Sequence, residues 1–362
     1  MSEKRKVALI MAGGTGGHVF PALAVADVLR AKGFDIHWLG TAAGIEAIEV
    51  PKADIALHCI DVQGVRGKGK LGLLKAPWRI TKAIIQARKV LREVAPNVVL
   101  GMGGFASGPG AVAAKLAGIP LVIHEQNARA GMTNKLSLKL GAKALAAFPG
   151  AFGEKEDARI GTEIVGNPVR GPILDLPAPS ERFAERTGAL NVLVVGGSLG
   201  AAAINAVVPK ALSMTQTPIH VWHQAGKRNI EETRAHYATY AVEGRVEPFI
   251  DDMAAAYAWA DLVICRAGAL TVSELAIAGV ASILVPFPHA VDDHQSANAQ
   301  YLAREDAAIV VAQRDLDAEK LVALLAQLND RQHLLHMAER ARRAAAPEAT
   351  EVVADICIRE MK

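Results

Sequence analysis

Apolar runs of five to seven residues alternate with helical segments through most of this chain, and several of the runs end in glycine. The strand-like runs are Val7–Ala12, Asp35–Gly40, Val98–Met102, Pro120–Glu125 and Ala142–Phe148. After a break come Asn191–Gly197, Ile219–Gln224, Arg245–Ile250, Asp261–Cys265, Ser282–Phe287 and Ala307–Ala312. Strands separated by helices imply parallel sheets with helices on both faces. Residues 149–190 interrupt the rhythm with charge and with Pro168, Pro172, Pro177 and Pro179, and read as a linker. A length of 362 residues suits two domains of ordinary size. The expectation is therefore α/β: two doubly wound parallel-sheet domains facing a cleft, with ligands beyond the carboxyl ends of the strands. Leu334–Arg343 reads as helical, and Pro347 precedes a final amphipathic segment, Glu348–Lys362.

The first run leads into Gly13, Gly14, Thr15, Gly16, Gly17 and His18, after which Val19, Leu23, Val25, Ala26 and Leu29 recur at helical intervals. Glycines at such a junction let the backbone turn tightly and bring its N–H groups up to an anion at the helix N-terminus. Comparable loops follow at Gly101–Gly104, Gly196–Gly200 and Arg266–Gly268, each after an apolar run. Their recurrence points to a diphosphate or sugar site. His18 has two readings: a ring that caps orphan amides, or a neutral imidazole, kept so by the positive helix end, that takes a proton as general base.

Several chemistries are disfavoured. None of these four loops carries G-x-G-x-x-G, which argues against a nicotinamide or flavin enzyme. Gly64–Lys70 has P-loop spacing, but Leu71 stands where Ser or Thr must hold magnesium. Cys59, Cys265 and Cys357 are far apart, without metal-ligand spacing, and read as small core residues of a cytosolic protein. His289, Asp292, Asp293 and His294 share one loop, where tetrahedral convergence is rare, so no metal is expected. The apolar start is too short for a signal peptide, and Asp261, Arg266 and Glu274 break the most apolar region, 253–288, so no membrane span is expected.

Gly268–Glu274 follows a strand and opens a helix, where Thr271 and Ser273 can satisfy first-turn amides and Glu274 can complement the helix end. A carboxylate there can also accept two hydroxyl hydrogen bonds, as a ribose or sugar diol requires. Residues 64–92 hold nine bases and no acid: Arg66, Lys68, Lys70, Lys75, Arg79, Lys82, Arg88, Lys89 and Arg92. Leu71, Leu73, Leu74, Trp78, Ile80, Ile84 and Ile85 are interleaved with them. A solvated helix face is the plain reading; the composition favours a surface resting on anionic lipid. Aromatics for base stacking are scarce, and the net charge is only +3, so nucleic acid is disfavoured.

The motifs Gly13–His18, Gly101–Pro109, His124–Asn127, Val165–Arg170, Gly196–Ser198, Arg266–Glu274 and Asp293–Gln295 with Asn298 occur in a telling order. In them the chain resembles the bacterial N-acetylglucosaminyltransferases of peptidoglycan synthesis, from about residue 7 to past residue 350. The resemblance implies a GT-B fold of two Rossmann-like domains: an acceptor- and membrane-associating domain over 1–167, a UDP-GlcNAc domain over 168–346, and a helix over 347–362 returning to the first. It implies inverting transfer of GlcNAc from UDP-GlcNAc to the C4 hydroxyl of MurNAc in lipid I, giving lipid II. His18 matches the family's proposed base. Thr15, Gly16, Gly17 and Asn127 match positions bordering the donor. So do Arg170, Ser198, Ile250, Ala269, Leu270, Thr271, Val272, Ser273, Glu274 and Gln295. Neither metal nor cofactor is implied. The implied partners are UDP-GlcNAc, lipid I, an anionic membrane surface at the cytoplasmic face, and other cell-wall synthesis and division proteins. Leu199 stands where the family commonly has Gln, which removes an amide from the donor loop. Two rivals are a UDP-GlcNAc 2-epimerase of the same fold and a sensor that binds the nucleotide sugar without turnover.

Overall fold

The computed structural model describes residues 5–62, 69–169, 171–197, 200–290 and 293–361, excepting the side chains of 69–75. Arg170, Ser198, Leu199, Asp292, Arg66 and Lys68 lie outside the described residues, as do the side chains of Lys70, Leu71, Leu73, Leu74 and Lys75.

The chain divides into two compact units, Met1–Arg170 with Ala346–Lys362, and Gly171–Ala345. The first holds strands β1 (Val7–Ala12), β2 (Asp35–Gly40), β3 (Ala56–Cys59), β4 (Val98–Gly103), β5 (Leu121–Glu125), β6 (Lys143–Ala146) and β7 (Glu163–Ile164). They pair in the order β3-β2-β1-β4-β5-β6-β7, all parallel. The second holds β8 (Leu190–Val195), β9 (Ile219–Gln224), β10 (Arg245–Glu247), β11 (Leu262–Cys265), β12 (Ala281–Leu284) and β13 (Ala308–Val310). Their order is β10-β9-β8-β11-β12-β13, again all parallel.

Burial on both faces explains why the central strands read as unbroken apolar runs. In β1, Ala8, Ile10 and Ala12 point into a core shared with Val19, Val25, Ala26 and Leu29 of the helix Gly16–Ala31. Val353, Ala354, Ile356 and Cys357 of the last helix, Ala349–Arg359, complete that core. Leu9 and Met11 point the other way, to Ala83, Ala87 and Leu91 of the helix Gly69–Val94 and to Ala111, Ala113 and Ala114 of the helix Ser107–Ala117. Lys32 pairs with Glu351 (3.1 Å) and Asp355 at the surface, a minor addition to the burial beneath it.

The supposed linker carries structure: the helix Glu154–Ile160, strand β7, and the short helices Gly171–Leu174 and Pro179–Phe183. Pro172 and Pro179 sit at helix starts, where a missing N–H costs nothing, and Pro168 and Pro177 lie in the irregular stretches between these pieces. Strands β3 and β7 had no sequence signal. Both are at sheet edges, and β3 (Ala-Leu-His-Cys) has no fully buried residue. Cys59 is accordingly exposed, contrary to expectation, whereas Cys265 and Cys357 are buried with their thiols pushed up to about 12 by desolvation. Such thiols are inert.

Candidate functional site

The strand order reverses between β1 and β4 in one unit and between β8 and β11 in the other. At these switch points the loops at the carboxyl ends diverge and leave room for a ligand. In the first unit the loop 13–17 follows β1 and the loop around Gly104 follows β4. The two loops touch. A Cβ at Gly104 would sit 2.4 Å from the Gly13 carbonyl oxygen, and Gly104 has φ +90°, so only glycine fits. A Cβ at neighbouring Gly103 would come within 2.9 Å of His18 Nδ1.

His18 is the third residue of the helix Gly16–Ala31, with Thr15 at its N-cap in extended conformation. The Thr15 carbonyl accepts from His18 N (3.1 Å) and Val19 N (3.2 Å), which closes the first turn. Gly14 N donates to Glu46 Oε2 (2.9 Å), while Thr41 N (3.1 Å) and Thr41 Oγ1 (2.7 Å) donate to Glu46 Oε1. Glu46 is fully buried and ties the glycine loop to the end of β2.

From just beyond the end of β5, Gln126 reaches His18: its Oε1 lies 2.8 Å from His18 Nδ1. Asn127 is held by Glu125, whose Oε1 accepts from Asn127 N (3.0 Å) and Nδ2 (3.3 Å). Glu125 Oε2 accepts from Gly131 N (3.1 Å) and Asn134 Nδ2 (2.8 Å), so a buried carboxylate shapes the whole turn. Thr15, Gly16, Gly17, His18 and Asn127 therefore share one end of the first sheet. His124 is entirely buried, and desolvation lowers its pKa to about 4 despite a bond to the Gly166 carbonyl.

In the second unit Gln224, at the end of β9, accepts from Gly197 N (2.9 Å) and donates to Gly197 O (3.0 Å) and Pro248 O (3.2 Å). That clamp fixes the loop after β8. Ile250 is buried shortly after β10. After β11, Asn298 Nδ2 donates to Ala267 O (3.1 Å), and Gly268 caps the helix Ala269–Ala278. Arg266 donates to Val285 O (3.1 Å) and Gln313 Oε1 (2.6 Å), with burial drawing its pKa down.

Two expectations need correction here. The helix begins at Ala269, so Thr271 lies in its first turn but Ser273 and Glu274 fall beyond it. Glu274 is thus no partner for the helix end. Its carboxylate, 5% exposed, instead accepts from Tyr257 OH (3.0 Å), and Tyr257 is fully buried. Gln295 Oε1 accepts from Phe287 N (2.9 Å), which bends the loop after β12 back onto the helix His294–Ala303. All the described positions of this unit that were expected to border the donor follow the carboxyl ends of β10, β11 and β12. Glu46, Glu125, Gln126 and Gln224 were not singled out from sequence. Their partners are set by the fold, and only Glu125 and Gln126 fell inside a noted motif.

The basic stretch lies largely on the helix Gly69–Val94. It has counter-ions that its own sequence lacks: Lys82 pairs with Asp61 (2.7 Å) and Lys89 with Glu93 (3.7 Å). Trp78 is 74% exposed and Ile85 63%, far more than a packed helix face leaves open. Among the described residues no helix is long and apolar enough to cross a membrane. Nor does any group of three His, Cys, Asp or Glu side chains among them suit a metal ion.

Two Rossmann-like parallel-sheet units with glycine loops at both switch points define a GT-B glycosyltransferase. The chain matches the glycosyltransferase family 28 N-terminal domain over residues 8–146 and the family's C-terminal domain over 191–354. It is 57% identical over 355 residues, 97% of each chain, to the UDP-N-acetylglucosamine--N-acetylmuramyl-(pentapeptide) pyrophosphoryl-undecaprenol N-acetylglucosamine transferase of Cellvibrio japonicus. Identity to the protein of that name from Pseudomonas entomophila is 54%, over 99% of each chain. The crystal structure of Acinetobacter baumannii MurG superposes with a TM-score of 0.85 at 43% identity, covering 98% of this chain and 99% of that one. The chain belongs to glycosyltransferase family 28 and, within it, to the MurG family.

Proposed function

We propose that this enzyme moves GlcNAc from UDP-GlcNAc to the C4 hydroxyl of MurNAc in undecaprenyl-pyrophosphoryl-MurNAc-pentapeptide, releasing UDP and forming lipid II through a β-1,4 linkage. The observation that carries this reading is similarity at 57% identity along 97% of the chain to a transferase named for that donor and acceptor. His18 at the first switch point supplies the chemistry. The acceptor O4 attacks the anomeric carbon, the bond from that carbon to the diphosphate oxygen breaks, and the acceptor proton passes to His18 Nε2. Attack opposite the leaving group inverts an α-linked donor to a β-linked product.

Thr15, Gly16, Gly17 and Asn127 border the donor from the first unit. Ile250, Ala269, Leu270, Thr271, Val272, Ser273, Glu274 and Gln295 hold it from the second, with Arg170 and Ser198 completing the set. The diphosphate is served by backbone donors at the start of the helix Ala269–Ala278. Labelled UDP-GlcNAc with a lipid I analogue tests the reading: an acceptor-linked disaccharide is expected. A free epimerised nucleotide sugar would indicate the 2-epimerase, and binding without turnover a sensor.

The acceptor is lipid-linked, so we also place the enzyme peripherally on an anionic membrane, at the cytoplasmic face, through the helix Gly69–Val94. Each base near such a surface contributes roughly 1 kcal/mol, and salt weakens the attachment. Because Lys82 and Lys89 have acidic partners, Trp78 and Arg79 are the better probes. The double variant Trp78→Ser, Arg79→Glu should sediment with anionic vesicles about tenfold less, with transfer to a short-chain soluble acceptor largely retained. Undiminished sedimentation at low salt would move the docking face elsewhere.

A further inference from the structure

We propose that Gln126 is a positioning residue that locks His18 in the tautomer with its proton on Nδ1, leaving Nε2 bare for the acceptor hydroxyl. The inference rests on the reading of His18 as general base, and it follows from a chain of hydrogen bonds that permits one arrangement of protons.

The chain starts at a group that can only accept. The Gly166 carbonyl lies 2.8 Å from His124 Nε2, so that nitrogen carries a proton. His124 is wholly buried and its pKa is lowered to about 4 by desolvation, so the ring is neutral near pH 7 and its Nδ1 is an acceptor. Gln126 Nε2 sits 3.2 Å from that Nδ1 and 3.1 Å from the His124 carbonyl oxygen. Both are acceptors, so reversing the amide would set oxygen against oxygen. The orientation is thereby decided by chemistry.

Gln126 Oε1 is then the atom 2.8 Å from His18 Nδ1, and an amide oxygen only accepts. His18 Nδ1 must donate, which puts the lone pair of the neutral ring on Nε2. Once Nε2 takes a proton, the bond from Nδ1–H to Oε1 becomes charge-assisted and strengthens as positive charge develops. The relay itself is rigidly mounted. Asn167 Nδ2 donates to the Gln126 carbonyl (3.0 Å), Asn134 Nδ2 donates to the His124 carbonyl (3.2 Å), and Gln126 is 1% exposed. Gln126 and His124 need touch neither donor nor acceptor; they act through His18.

The test reads the proton directly. In the full-length protein with ¹⁵N-labelled histidine, ring-nitrogen NMR should show neutral His18 with Nδ1 protonated and Nε2 bare, the signals being assigned by their loss in His18→Ala. This wild-type spectrum does not depend on any variant folding. In Gln126→Leu the population should shift toward the Nε2-protonated form. Turnover should then fall at least about tenfold, with KM for UDP-GlcNAc within about twofold. Nε2-protonated His18 in the wild-type spectrum overturns the proposal, and so does a Gln126→Leu variant with unshifted tautomer or undiminished turnover. An Nδ1–H signal alongside full activity in His18→Ala would instead overturn the base reading, so the two failures are distinguishable.

Discussion

His18→Ala should lower turnover by about 10² to 10⁴, the range that positioned acid–base groups contribute. The ring stands where the loop after β1 meets those after β4 and β5, and Gln126 Oε1 binds its Nδ1 at 2.8 Å. Alanine removes the proton acceptor and leaves the glycine backbone and the Glu46 clamp in place. UDP affinity should therefore change little, and thermal stability should fall only modestly, since the half-buried His18 site lets water reach Gln126 Oε1. The discriminating measurement is kcat with a soluble lipid I analogue, compared with calorimetric binding of UDP. Turnover within a few-fold of the parent would reduce His18 to a cap of the helix.

Glu274→Ala should weaken UDP binding by about 1.5–3 kcal/mol, the span for hydrogen bonds to a charged group, or about 10- to 150-fold in Kd. The carboxylate is nearly buried beyond the end of β11, where water competes poorly for it, so a ribose diol bonded there would be held strongly. The same carboxylate accepts the Tyr257 hydroxyl at 3.0 Å, and alanine would remove that buried, charge-assisted hydrogen bond. Stability should drop by about 1–3 kcal/mol as a result. Tyr257→Phe separates the effects: it removes the hydroxyl, keeps the carboxylate, and should leave UDP affinity within a few-fold. Calorimetry on folded Glu274→Ala that shows unchanged UDP affinity would leave Glu274 as the support of Tyr257 alone.

What was legible in the sequence follows from where the signal is local. Strands β1, β2 and β9 have the bounds that their runs predict; β1 is central and apolar at every position, as burial on both faces requires, while β2 and β9 keep enough buried apolar residues to be read despite Asp35, His37, His220, His223 and Gln224. Strands β3 and β7 lie at edges, carry weaker burial, and left no pattern to read. The glycine loops were visible because only glycine tolerates such an approach as Gly104 to Gly13. The side chains that hold them were not. Glu46 reaches Gly14 across 32 residues and Gln126 reaches His18 across 108, and no periodicity encodes partners at that range. Glu274 shows the same limit. Its place near a helix start suggested a dipole role, and one turn of difference together with Tyr257 changed its local chemistry. The counter-ions of Lys82 and Lys89 lie just outside the acid-free window, so the window overstated the bare charge.

The configuration of the product is the sharpest test of a single displacement at the anomeric carbon assisted by His18. A single turnover of UDP-GlcNAc labelled with ¹³C at C1, with a soluble lipid I analogue as acceptor, gives a disaccharide whose C1–H1 coupling NMR reads without purification. A wholly β-linked product from the wild-type enzyme, formed far more slowly by His18→Ala, is the predicted result. An α-linked product would require either a second displacement or front-side attack through an ion pair, and would contradict direct inversion assisted by His18.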